Sequence, residues 1–371
     1  MKAQDYFIGF LLLLIAKSMA MLILSYTEAD FFGGGNDSYY YDGFARGYYD
    51  VAVNSWPIIL RALHDISLYS RDGVSFVLKL LAFLAIPLWV GALCRVKESP
   101  IRRRVFWAGV LVVSAYPTIN FLATDIYRDV FMIAVWIGGL FVFKTLSEKP
   151  PFKKKILLLI LGLCISIALF TLRDYLGFAY FVALIFAGFY SYRKLKLIPS
   201  LFMVVGGLYI LYLLGFLDPI LAYREGFDEM GGGATLGIEF ASAASFLPDF
   251  FRSAAAQLFG LHFVNPASVL VFLVETVPFL ALLIYVILNK EFSNKFVDYL
   301  IVFFVAYACV WLLGNDNLGT AVRLRTFNYL AVLVAFFVIY QNKRIAVLAG
   351  YKPQKRIRFR LWPTSVLAAR S

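Results

Sequence analysis

Residues 120–144 read NFLATDIYRDVFMIAVWIGGLFVFK. After Asp125 and the pair Arg128-Asp129, fourteen residues carry no charge, and the run closes at Lys144. A membrane-crossing helix needs about 20 mostly apolar residues, and 129–147 supplies one. Comparable runs recur at 6–26, 74–94, 105–121, 156–172, 176–192, 198–216, 266–288, 297–313 and 327–342, so the pattern predicts ten spans. The third and fifth are short. The first is too long for a cleaved leader, carries Lys17 near its middle and has no small-x-small cleavage site, so it reads as a span.

Composition agrees. Of 371 residues 61% are hydrophobic and 16% charged, and mean hydropathy is +0.78; a soluble domain has roughly 45–50% and about 25%. A soluble enzyme and a disordered chain are both excluded. Cys94, Cys164 and Cys309 stand singly and make neither a CxxC pair nor a disulfide framework. His64 and His262 are too few for most histidine metal sites.

With the N-terminus inside, 24 of the 35 basic residues fall in inner segments: Lys2, 95–104, 144–155, 193–196, 290–295 and the tail from Lys343. This positive-inside bias predicts both termini cytoplasmic. The formal charge of +12 is thus mostly a topogenic signal rather than a nucleic-acid footprint, and 351–360 can touch anionic headgroups of membrane lipid. The reading is an all-α polytopic membrane protein. Residues 1–342 form one transmembrane domain with outer loops at 27–73 and 217–265, and 343–371 form a basic cytoplasmic tail. Compactness and the lack of a soluble domain suit a bacterial inner membrane.

The outer segments hold nine basic residues, and all are arginine: Arg46, Arg61, Arg71, Arg128, Arg173, Arg224, Arg252, Arg323 and Arg325. Arginine binds phosphate bidentately, whereas lysine acts as a point charge. Charges also gather at short connections: 124–129 between spans three and four, Arg173-Asp174 between five and six, and 314–317 with Arg323-x-Arg325 between nine and ten. A charge at a helix end in the membrane is costly unless paired or facing water. For any one cluster, capping and interfacial pairing suffice; three on one leaflet point to an outward polar cavity for an anionic ligand.

In the first outer loop, Gly33-Gly34-Gly35 permits a tight turn, and Asn36, Asp37 or Ser38 can cap a helix carrying Tyr40, Tyr41, Phe44 and Tyr48. From Trp56-Pro57 to Ser67, apolar residues recur at helical spacing, which predicts a second interfacial helix with His64 and Asp65 on its wet side. In the second loop, Gly231-Gly232-Gly233 makes a hinge, and 242–259 reads as an interfacial helix with Arg252 on its polar face. No P-loop, GxSxG, HExxH or Cys/His ligand group is present.

Asp37 with Tyr41 and Ala45, the stretch Trp56-Pro57-Ile58-Ile59-Leu60, and the connection from Tyr116-Pro117 to Arg128-Asp129 together resemble the GT-C superfamily of polytopic glycosyltransferases. The first matches its D-x-x-x-Y-x-x-x-A pattern after the first span. The connection is also similar to that of Wzy-type (EpsG-like) repeat-unit oligosaccharide polymerases. The resemblance covers residues 1–150; beyond that it rests on topology and outer arginines. It implies a polyprenyl-(pyro)phosphate-linked glycan donor and a glycan or lipid-glycan acceptor. Chemistry would take place at the periplasmic or outer face, most simply in polymerising repeat units of a surface polysaccharide such as O-antigen. Asp37 would be the base and Asp42 the second choice; Arg128, Arg173, Arg323 and Arg325 would neutralise the departing phosphate. Asp129 and Asp174 would orient those guanidiniums, and Arg46 and Arg224 extend the phosphate-binding set. The resemblance requires no cofactor; some members use Mg or Mn, and Asp37, Asp42 and Asp125 are the oxygen ligands one would use. Two alternatives stand beside the polymerase: a GT-C transferase moving one sugar from a monophosphate donor, and a transporter or flippase of lipid-linked glycans. Transporters usually keep polar groups at mid-membrane and often show internal repeats. Here the one clearly mid-span acid is Glu275, which favours the enzyme.

Overall fold

The computed structural model describes residues 2–27, 37–229, 235–263 and 265–351. The glycine runs 33–35 and 231–233, Asn36 and the tail beyond Tyr351 lie outside them. The described residues are helical, with a single isolated bridge between Thr235 and Asn317. In chain order the helices are α1 (Ala3–Thr27), α2 (Asp37–Ala45), α3 (Ser55–Asp65), α4 (Arg71–Cys94), α5 (Arg102–Ser114), α6 (Pro117–Leu122), α7 (Arg128–Ser147) and α8 (Phe152–Leu172). They continue as α9 (Asp174–Phe186), α10 (Leu197–Leu213), α11 (Asp218–Glu229), α12 (Ala243–Ser253), α13 (Ser268–Leu288), α14 (Lys295–Gly314) and α15 (Leu318–Leu348).

Seven of them, α1, α4, α7, α8, α13, α14 and α15, are long and apolar enough to cross a membrane. The count rises to eight if α10 and the helix after it are taken as one bent span. The expectation of ten spans is therefore not met by length, for reasons local to three of them. Residues 105–121 are split because Tyr116 precedes Pro117, is pushed to an extended ψ of 111°, and ends α5. The helix α9 has 13 residues. The helix α10 has 17, and the chain turns 83° at Leu214–Leu217. Elsewhere proline is absorbed rather than obeyed. Pro87 and Pro278 lack the N–H that closes a helical turn. In each case the turn just before widens to a π-turn, at Leu81–Ala85 and Phe272–Thr276, and the helix continues.

The buried centre is α15, packed by α14, α13 and α4, with α7, α8 and α9 outside α14. Peripheral α1 presents Ile8, Leu12, Ile15 and Met19 outward, and α8 presents Leu157 and Ile160. Apolar side chains so exposed are at home in lipid and not in water.

The two ends of the bundle differ in chemistry. At one end, lysines donate to backbone carbonyls. Lys144 Nζ reaches Ala92 O, Leu93 O and Arg95 O at 2.8–2.9 Å, at the C-terminus of α4, and so complements the negative end of that helix dipole. Lys295 reaches Tyr190 O at 2.7 Å, and Lys290 reaches Leu195 O, both in the link after α9. At the other end stand the arginines and their carboxylates, under α2, α3 and α12.

Candidate functional site: an arginine–carboxylate cluster between two cavities

The roof of the site is fixed first. Asn54 caps α3 by accepting Trp56 N–H at 2.9 Å, and Ser70 caps α4 by accepting Gly73 N–H at 3.0 Å. The indole of Trp56 then donates to Ile126 O at 2.9 Å, tying α3 to the connection ahead of α7. Arg61 donates to Phe44 O and Tyr49 O and lies 4.0 Å over the Phe44 ring, which joins α3 to α2. Arg71 pairs with Asp125 at 2.5 Å, and Asp42 accepts from Tyr69 at 2.7 Å and from Arg46 at 3.0 Å. Burial pushes the Asp42 and Asp125 carboxyls up. Their hydrogen bonds and the neighbouring guanidiniums outweigh it, and both sit below the ordinary aspartate value. Tyr41, buried beneath, has its hydroxyl pKa raised, first by burial.

Asp37 opens α2, in the first turn where a carboxylate meets the positive end of the helix. Its Oδ2 accepts from Arg323 Nη1 at 2.8 Å, and the same nitrogen is 3.9 Å from Asp129 Oδ2. The Arg323 guanidinium lies 5.3 Å over the Tyr127 ring. The Asp37 side chain is 50% exposed and that of Asp129 only 4%. One carboxylate is therefore reachable from water, and the other is a buried anchor.

Two cavities lie near this cluster, and Arg323 itself lines the second. The first, about 400 Å³, is lined by Asn54, Arg128, Arg173, Asp174, Tyr175 and Tyr223 among others. Arg128 donates to Leu172 O at 3.0 Å, and Arg128 and Arg173 feel each other's charge. Neither makes an ion pair among the described residues. The second, about 500 Å³, is mostly apolar, with Lys17, His262, Arg323 and Arg325 on its wall.

Sequence expectations are distributed unevenly over this geometry. Asp37, Asp129 and Arg323 come together; Arg128, Arg173 and Asp174 share the first cavity; Arg325 faces the second. Arg46 and Asp42 line neither cavity and pair with each other four residues apart. Arg224 lines neither cavity and is buried in an ion pair with Asp316, donating also to Ile238 O, Leu312 O, Leu313 O and Asn315 O. It is a clasp holding 235–240 against the link between α14 and α15. Arg323 and Arg325, expected in that link, lie inside α15, because Asn317 caps the helix by accepting Thr320 N–H at 2.9 Å. Among the described residues no three acidic, histidine or cysteine side chains gather as metal ligands. Asp37, Asp42 and Asp125 each face a different arginine, so as placed they do not fit a shared cation. The sequence reading gave no role to Arg71, Tyr127 or Lys17. Lys17 had a signal, a cation inside an apolar run, and Arg71 had one as a member of the all-arginine set; Tyr127 had none.

Comparison with family models, with curated proteins and with solved structures finds no match to this chain. What it does has to be argued from these residues.

Proposed function

We propose that the chain is an integral-membrane glycosyltransferase. Its donor is a glycan on a polyprenyl phosphate or pyrophosphate, and its reaction is the joining of oligosaccharide repeat units at the outer face of a bacterial cytoplasmic membrane. The observation that carries this is the first cavity, whose two arginines have no ion-pair partner among the described residues, with a half-exposed carboxylate close enough for Arg128 to feel its charge and held by a third arginine. Placing the lysine-rich end inside by the positive-inside rule turns this cluster outward. Apolar helices around it suit a lipid-borne substrate.

In the transfer, the acceptor hydroxyl oxygen bonds to the anomeric carbon. The bond from that carbon to the phosphate oxygen breaks, and its electron pair stays on the phosphate. The hydroxyl proton passes to Asp37, which Arg323 holds in place by its hydrogen bond. Arg128 and Arg173 meet the charge that grows on the leaving phosphate, in a site partly closed to water where fixed cations act strongly. Asp129, buried beneath Arg323, keeps that guanidinium in register.

Purified chain in nanodiscs, given a polyprenyl-pyrophosphate oligosaccharide, is expected to yield longer glycans and free polyprenyl pyrophosphate. Transfer from a monophosphate sugar alone would make it a single-sugar transferase. Movement of the glycolipid across the bilayer with no new glycosidic bond would replace the enzyme with a transporter.

A further inference from the structure

We propose that Lys17 and Glu275 are positioning residues for the transfer: together they hold open the break between α5 and α6, and α6 passes that placement to the link that leads into Arg128. This deepens the glycosyltransferase reading and rests on it. The break is at Pro117. In a continuous helix Thr118 N–H would donate to Ser114 O, four residues back. Here the two groups are parted, and each is taken by a charged side chain from another helix. Lys17 Nζ, on α1, donates to Ser114 O at 3.0 Å and to Ser114 Oγ at 2.8 Å. Glu275 Oε1, on α13, accepts Thr118 N–H at 2.7 Å. Asn120 of α6 closes the clamp: its Nδ2 donates to Ser114 O at 3.2 Å, and its Oδ1 accepts from Lys17 at 3.2 Å.

Both charges are buried inside membrane-spanning helices, Lys17 at 9% exposure and Glu275 at 1%. An ionisable group there is costly and by default marks function. Ion pairing accounts for neither. Among the described residues Lys17 bonds only neutral oxygens, and Glu275 Oε2 stands 3.9 Å from Arg325, beyond hydrogen-bond reach. What the two share is the break, and the break lies just before the site. The link 123–127 follows α6 directly and ends at Arg128. Within it Asp125 pairs with Arg71, Ile126 O accepts the Trp56 indole, and the Tyr127 ring lies under Arg323. A displacement of α6 is therefore felt at Tyr127 and Arg128. Without Glu275, Thr118 N–H is a buried donor left unmade, which is expensive. Its helical partner is Ser114 O, and recovering that bond would draw α6 back toward the end of α5 and take the link with it.

The test uses the full chain in nanodiscs and two readouts, amide protection over 118–127 and steady-state glycan transfer. Glu275→Leu should lower that protection by about tenfold or more, the scale of one buried donor left unmade, and Lys17→Met should do so from the other side of the break. In both, kcat should fall with the protection while the donor KM holds within about twofold, because Arg128 acts on charge that grows in the transition state. Glu275→Gln keeps an oxygen for Thr118 N–H and should restore both readouts to within about threefold of wild type. Equal loss in Glu275→Gln and Glu275→Leu would overturn the proposal, since the charge beside Arg325 would then be the cause. So would unchanged protection over 118–127 in Lys17→Met, which also decides the matter if Glu275→Leu fails to fold. A lower melting temperature with kcat intact would leave a purely structural clamp and overturn it as well. A wild-type chain that transfers no glycan would sink the glycosyltransferase reading, while the exchange readout, which needs no substrate, still decides whether the clamp sets the link.

Discussion

Arg224 and Arg173 are the same side chain at the same end of the bundle with opposite tasks. Arg224 is enclosed by four carbonyls and Asp316, whose other oxygen accepts Leu236 N–H at 3.0 Å and Gly237 N–H at 2.9 Å. Truncating one partner of such a pair strands a buried charge, so Arg224→Ala should destabilise the protein by about 3–5 kcal/mol. A fall in melting temperature of the purified protein would show it. Arg173 has no ion pair to lose among the described residues, so Arg173→Ala should melt near wild type and still lose activity. Asp42 and Asp125 give the pH dependence. Both have folded pKa values below the unfolded one, so their contribution is full above the ordinary value of about 3.9 and is lost as pH falls through the lowered folded value. The protection of amides over 37–70, measured relative to the intrinsic exchange rate at each pH, should therefore be the same at pH 5 as at pH 7 and fall only under stronger acid.

Among the elements, α15 decides the site. Its 31 residues reach about 46 Å at 1.5 Å per residue, well beyond a hydrocarbon core of about 30 Å. The excess at its N-terminal end carries Arg323 and Arg325. Asn317→Ala should remove about 1 kcal/mol of cap and fray the turn below Arg323, seen as faster exchange at 318–323 and weaker substrate binding. Sequence reading found the apolar part of this helix, because hydropathy is local. It missed the capped extension, because Leu318–Thr326 is polar and only the Asn317 side chain marks its start. The two helices expected at the interface were legible because their pattern is local: apolar residues recur at helical spacing from Trp56 to Ser67, and helices are present over Ser55–Asp65 and Ala243–Ser253. Tyr48, expected on α2, falls past its end, because the chain turns at Gly47 with φ +86°. The Arg224–Asp316 clasp, 92 residues apart, and the Glu275–Arg325 pair had no local signature. Sequence separates an end whose basic residues are all arginine from one that also holds lysine, but not a ligand-facing arginine from a structural one.

At the scale of the whole molecule, charge asymmetry implies an orientation. Asp65 on α3 and Lys153 at the start of α8 are exposed at opposite ends. With exposed Cys164 changed to serine, Asp65→Cys in intact cells should react with an impermeant maleimide, and Lys153→Cys only after permeabilisation. The reverse pattern would put the arginine cluster inside and remove any outer-face chemistry.

The central claim, that Asp37 takes the proton while Arg128 and Arg173 receive the phosphate, is tested most directly by glycan transfer in nanodiscs with Asp37→Asn. The substitution keeps the shape and a hydrogen-bond acceptor for Arg323 but removes the base. It should lower kcat by about 100-fold or more, with melting temperature and donor binding near wild type. Full turnover by Asp37→Asn in a folded protein would contradict the account.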